Sequence, residues 1–186
     1  MPRAGLSRPL LTARAAEIAD ENGWDQLTLA AVAGAVGVRQ PSLYKHVESL
    51  AALRRDVSVA GARDLADALT SAAVGRSGPA ALGAMADAYR DYARRFPGRY
   101  AASVVAPAPG DEEHERIAAR VIEVIGAVLA EFGLAGDDVI HAIRALRSML
   151  HGFVAIESAG GFAMPQDLEE SYRRMVDGFA ATLAHG

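Results

Sequence analysis

Residues 37–47, Gly-Val-Arg-Gln-Pro-Ser-Leu-Tyr-Lys-His-Val, limit what this chain can fold into more than any other stretch. Gly37 supplies the left-handed backbone that stops a helix, and Pro41 suits the first turn of the next one. Leu43 and Val47, four apart, point inward. Arg39, Gln40, Ser42, Tyr44, Lys45 and His46 are left for solvent or for a groove. A helix that short, with a polar outer face, adds little to a core, and it makes sense as the reading element of a helix-turn-helix.

Charge distribution agrees with that reading. The 186 residues carry a net charge of −4, but residues 1–55 hold an excess of +2 and residues 56–186 one of −6. A locally basic module is the electrostatic footprint of a DNA binder. Eighteen arginines accompany a single lysine, Lys45, inside the reading element. The absence of cysteine excludes a disulfide framework, a thiolate zinc site and cysteine catalysis. Arg3, Arg8 and Arg14 interrupt the N-terminal stretch, and no run elsewhere approaches bilayer-spanning length, so a cytoplasmic protein without membrane contact is expected.

Helix signals dominate and no period-2 strand pattern stands out. Ser7 and Pro9 start a first helix that Asn22-Gly23 ends; Thr28 caps a second, closed by Gly37; the reading element follows; a fourth helix begins after Ser49 and runs to about Val74. Beyond Gly75 to Pro79 a helix reaches Phe96. Pro97-Gly98 ends it, and Pro107 and Pro109 bracket an irregular stretch. Asp111 reads as an N-cap with Glu112, Glu113 and Glu115 in the first turn, where the helix dipole favours anions. His114 among them has a metal-like look, but adjacent helical positions diverge around the axis and a solvated first turn is expected, with no metal or cofactor. Two more helices follow, at 137–158 and after Pro165 and Asp167. The expected architecture is all-α: an N-terminal three-helix DNA-binding domain with a helix-turn-helix at residues 1–48, then a larger helical effector-binding and dimerisation domain at 49–186.

The helix at 137–158 has two apolar faces. Val139, Ile143, Leu146, Leu150 and Phe153 form a bulky stripe suited to the core. Ala145, Ser148, Gly152, Ala155 and Ala159 form a stripe of small residues that lets a second helix approach closely. It reads either as the interface of a symmetric dimer or as an internal helix crossing or alanine bias.

A major groove admits one helix, and its base edges are read by side chains with both donors and acceptors. Gln40 matches adenine; Arg39 matches guanine or a phosphate; Pro41 and Ser42 match a thymine methyl or a backbone oxygen. Tyr44, Lys45 and His46 suit phosphates, as does Thr28 with the free amides of the helix it caps. Over Leu10 to Leu53 the chain resembles the tetracycline-repressor family of bacterial transcription regulators. The likeness is strongest in Leu27-Thr28-Leu29, Val36-Gly37-Val38 and Gln40-Pro41-Ser42-Leu43-Tyr44-Lys45-His46-Val47. It implies an all-α homodimer that binds a palindromic DNA operator and is released by a small effector in the C-terminal domain. Carried over by position, Gln40, Pro41 and Ser42 look like base readers, and Thr28, Tyr44, Lys45 and His46 like phosphate contacts. Ala30, Ala31 and Ser49-Leu50 depart from the family's basic or polar pattern. Fewer phosphate contacts give a shallower salt dependence, at about −0.9 in slope per contact. Leu150-His151-Gly152-Phe153 and Gly160-Gly161-Phe162 resemble a subgroup of the same family.

An effector pocket would draw on Met85, Tyr89, Tyr92, Phe96, Phe132, Met149, Phe153, Phe162 and Met164, each of which reads equally as core. Arg95, Arg99, His114, His141 and His151 are available to make such a pocket polar. An enzyme is not expected: the sequence offers no nucleophile with its base, no phosphate-binding glycine loop and no spaced carboxylate or histidine pair. A DNA-binding architectural protein that senses no small molecule is the remaining rival.

Overall fold

A computed structural model describes residues 5–184. Its helices are α1 (Arg8–Asn22), α2 (Leu29–Ala35), α3 (Leu50–Ala73), α4 (Gly78–Arg95), α5 (Pro97–Ser103), α6 (Glu112–Ala130), α7 (Asp137–Ser158) and α8 (Leu168–Ala184). Short 3₁₀ segments occupy Trp24–Gln26 and Gln40–Lys45, and no strand occurs among the described residues. The fold is all-α.

The chain forms two compact units: residues up to Asp64 with Phe96–Ala118, and Leu65–Arg95 with the chain from Ala119 onward. These packing units do not divide at residue 48. Leu53 and Val57 of α3 join Leu11, Leu27, Val32 and Leu43 in one buried cluster, so the start of α3 is part of the core beneath the reading element.

In the first unit the local signals act where the chemistry places them. Ser7 caps α1 by accepting from the Leu10 amide (3.4 Å), and Ser49 accepts from Ala52 (3.1 Å) at the start of α3. Pro97-Gly98 ends α4 as expected and also opens a further helix, α5, that the sequence reading did not include. Proline fits the first helical turn. At Gly98 an added Cβ would fall onto the Ala19 carbonyl, so glycine is what lets α5 lie against α1. The Asp20 carboxylate accepts from the Arg99 amide (2.9 Å), capping α5 from another helix, while the Arg99 guanidinium lies 3.0 Å from the same carboxylate. Trp24–Gln26 forms a further short 3₁₀ turn that no local signal announces.

Asp111 caps α6 as anticipated, accepting from the His114 amide (3.1 Å). Its carboxylate also takes a bidentate pair from Arg55 (2.7 and 2.6 Å), which holds the carboxyl well below its ordinary range. The expectation of a solvated first turn is corrected for His114. Glu112 and Glu115 are exposed, but the imidazole is only 3% exposed, and burial pushes its pKa down.

In the second unit α4 packs against α7 and α8. Leu82, Met85, Ala86 and Tyr89 of α4, Leu146, Leu150 and Phe153 of α7, and Tyr172 and Val176 of α8 are buried. The Tyr172 hydroxyl donates to the Ala86 carbonyl (2.6 Å). By length and composition α7 could cross a bilayer, contrary to the reading that no run approaches that length. Arg144 and Arg147 lie within it, costly in hydrocarbon, and Ile143, Leu146, Leu150 and Phe153 of its bulky stripe are buried in protein.

Candidate nucleic-acid interface

The reading element is built by a sharp stop and two apolar anchors. After α2, Gly37 adopts φ +70°, the Gly37 amide donates to the Gly34 carbonyl (3.1 Å), and the Val38 amide reaches back to Ala33 (3.0 Å). This is the Schellman pattern, which requires a residue that tolerates the left-handed region. Arg39 is extended (φ −79°, ψ 143°), as the approach to a helical turn demands, and its carbonyl accepts from the Ser42 amide (2.9 Å). The segment Gln40–Lys45 is 3₁₀ where an α-helix was expected, and it closes with the His46 and Val47 amides on the Leu43 carbonyl (2.8 and 3.0 Å). Leu43 and Val47 are fully buried in the first unit's core.

Everything else on the segment is turned out. Arg39, Gln40, Pro41, Tyr44 and Lys45 are exposed, while Ser42 and His46 are half-buried. Arg39 and Lys45 take part in no ion pair among the described residues. The chain's other cations are mostly matched: Arg8 to Asp56, Arg55 to Asp111 and Arg99 to Asp20. Thr28 is exposed and its hydroxyl accepts from the Ala31 amide (3.2 Å), leaving its own hydrogen available to a further acceptor.

The effector candidates scatter. Met85, Tyr89, Tyr92 and Phe153 are buried in the second unit, and Phe132 and Met149 are half-buried there. Phe96 belongs to the first unit; Phe162 and Met164 are exposed. Phe153 meets Phe162 (ring centroids 4.8 Å) and Tyr172 (5.0 Å). Between these rings lies a residue that sequence reasoning missed. Arg90 is 4% exposed, donates to Glu157 (3.0 and 2.6 Å) and Glu169 (2.7 and 2.9 Å), and sits 4.5 Å from the Tyr172 ring centroid. It continues the inner stripe of α4 four residues after Ala86, which was the one signal available. The small stripe of α7 is open in the single chain: Ala145, Ser148, Ala155 and Ala159 are exposed and Gly152 half-buried.

Two recesses lie in the first unit. One of about 560 Å³ is lined by Arg8, Thr12, Arg55, Val59, Arg63 and Arg99 among others, and one of about 340 Å³ includes Trp24, Arg54, Ser58 and His114. None of the aromatic or methionine candidates lines either, while of the polar candidates Arg99 lines the larger and His114 the smaller. No group of three or more potential metal ligands is present among the described residues.

An all-helical chain that presents a short polar segment behind a Schellman stop defines a DNA-binding regulator of the helix-turn-helix class. This chain belongs to the tetracycline-repressor (TetR) family. Residues 82–179 match the family model described as Tetracyclin repressor-like, C-terminal domain. The chain is 36% identical over 171 residues to the HTH-type transcriptional regulator YobS of Bacillus subtilis, covering 91% of this chain and 88% of that protein. It is 40% identical over 158 residues to the HTH-type transcriptional regulator Rv0681 of Mycobacterium tuberculosis, covering 84% of this chain and 72% of the relative. Among solved structures, a variant of TetR from Acinetobacter baumannii crystallised with minocycline shares the fold, with a TM-score of 0.71, 20% identity and coverage of 97% and 98%. The protein is therefore an HTH-type transcriptional regulator and not an enzyme.

Proposed function

We propose that this protein is a ligand-responsive repressor that binds a palindromic operator as a homodimer and leaves it when a small effector binds. The observation that carries the reading is the exposed Arg39–His46 segment. Two of its cations lack a carboxylate partner, and it is held rigid by Leu43 and Val47. In this reading Gln40, Pro41 and Ser42 read base edges, Arg39 takes guanine or a phosphate, and Thr28, Tyr44, Lys45 and His46 contact phosphates. The open small-residue stripe of α7 supports a dimer in which that face meets its copy. The effector's place is the second unit, where Met85 and Tyr89 are buried and Phe153 and Tyr172 flank Arg90; the minocycline complex of the A. baumannii TetR variant, alike in fold, supports a ligand-binding helical unit. Movement of α3, which follows the reading segment directly, would change the spacing of the two reading elements. They must lie about 34–36 Å apart to enter successive major grooves.

Selection of bound fragments from random DNA tests the reading in one step. The expected result is an inverted repeat with half-sites about one helical turn apart. An enriched single half-site would remove the dimer, and no enrichment would remove operator recognition altogether. Spin labels on the two reading segments would then measure the distance with and without effector, and an unchanged distance would end the spacing mechanism.

A further inference from the structure

The smaller recess of the first unit combines two features that point to an occupant. His114 is 97% buried in its wall, yet its Nε2 makes no hydrogen bond within the chain. Arg54, also in the wall, has no carboxylate counterpart. Its Nη2 donates to three backbone carbonyls, those of Trp24 (3.5 Å), Asp25 (3.1 Å) and Leu27 (3.3 Å), and its Nε is buried without a partner. Its guanidinium also lies 5.4 Å from the Trp24 ring centroid. A buried donor left unmatched is costly, and a cation held by carbonyl oxygens and one ring face, without a carboxylate, still favours an anion. Ser58, 2% exposed, adds a hydroxyl to the same wall. The rest of the lining is the Arg55–Asp111 ion pair and an apolar part from the Trp24 indole, Ala51, Val105, Ala106 and Ala108.

We propose that this recess binds a small organic carboxylate, its charged end on Arg54 and His114 beside Ser58 and its apolar body against Trp24 and Val105. At about 340 Å³ the recess suits a compound of one ring, near the lower limit of ordinary ligand sites. A fully hydrated anion such as phosphate would leave the apolar wall unused. Asp111, which also borders the recess, is neutralised by its bidentate pair with Arg55 and does not oppose a single negative charge. Occupancy has a route to the reading element. Arg54 ties α3 to the turn that precedes α2, so an anion drawing on Arg54 loosens the clamp on carbonyls 24, 25 and 27. That second step rests on the DNA-binding role proposed above; the site itself does not.

Trp24 is the chain's only tryptophan, so intrinsic fluorescence reports the recess directly. Benzoate, its neutral match benzamide and inorganic phosphate are titrated against the full-length protein without DNA. The expected result is saturable quenching or a spectral shift with benzoate, at about tenfold lower concentration than with benzamide or phosphate. His114→Leu should weaken benzoate about tenfold, while His114→Gln, which keeps a donor, stays within roughly threefold of the parent. Imidazole nitrogen shifts in the unaltered protein give a reading that no folding defect can confuse, with one of five histidines moving on addition of benzoate. No saturable change, equal response to benzamide, tighter phosphate, or unaltered affinity in His114→Leu would overturn the site. With benzoate saturating, affinity for a selected operator should fall several-fold; unchanged affinity would overturn the link through Arg54 and leave the site standing.

Discussion

The two units treat an inward-turned arginine differently: Arg90 is buried, whereas Arg54 is half-buried and lies over the Trp24 ring. In the second unit Arg90 is closed off: two glutamates take its donors and two aromatic rings flank it. In the first, Arg54 hangs from backbone carbonyls and keeps an unmatched Nε. The first arrangement is complete and resists change, because removing the nearly buried partner, Glu157, leaves a desolvated charge under-matched. The second is incomplete and can be shifted by whatever supplies the missing acceptor. A regulator needs both, a rigid body and a part whose equilibrium can be biased.

The largest test of that contrast is Glu157→Ala. Glu157 is nearly buried beside Arg90, and its loss should lower stability by about 3–5 kcal/mol, read as a shifted urea midpoint. Glu169 touches the same guanidinium but is 68% exposed, so Glu169→Ala should cost no more than about 1 kcal/mol. Equal losses would mean that the pair does not act as a closed unit. Between these in size lies the interface itself. Gln40→Ala should cost about 1–3 kcal/mol on the selected operator and relax base preference at one position. Lys45→Ala should weaken all sequences alike and reduce the salt slope by about one. Equal loss from both on cognate and random DNA would remove Gln40 as a base reader.

The smallest effect separates the units by pH. Burial lowers the folded pKa of His114 below its ordinary 6.5, so the unfolded chain binds more protons as pH falls through that value. Stability therefore declines on acidification from about pH 6.5 down to the lowered value, by at most about 1.4 kcal/mol per pH unit. Asp111 and Glu157 act in the same sense but in a lower pH window. Arg55 and Arg90 lower their folded pKa values, so their contribution is fully present above the unfolded values near 4 and disappears only as pH falls through the lowered ones. Hydrogen exchange measured between pH 7 and 5 should show the first unit loosening and the second unchanged. His114→Gln should flatten the first unit's response, and an equal response in both units would assign it elsewhere.

Which parts were legible in the sequence follows from how far apart the interacting residues lie. The reading element is local: Gly37, Pro41, Leu43 and Val47 fix the stop, the turn and the anchors within eleven residues, and those letters also carry the family likeness. Helix α5 was missed because Pro97-Gly98 is a breaker by local rules, and only the proximity of Ala19 and the cap from Asp20 turn it into a helix start. Arg90 meets acids 67 and 79 residues away, which no local pattern reveals. His114 was within reach. It stands three residues before Ile117 and seven before Val121, on the inner stripe of α6, and that spacing outweighs its acidic neighbours.

Lys45, the sole lysine, stands exposed at the end of the reading segment. Apart from the amino terminus, an amine-selective reagent has one target on this protein, and it lies where DNA is expected to bind. Protection of Lys45 from that modification, read by mass and set apart from the amino terminus, would then report operator occupancy without any engineered label.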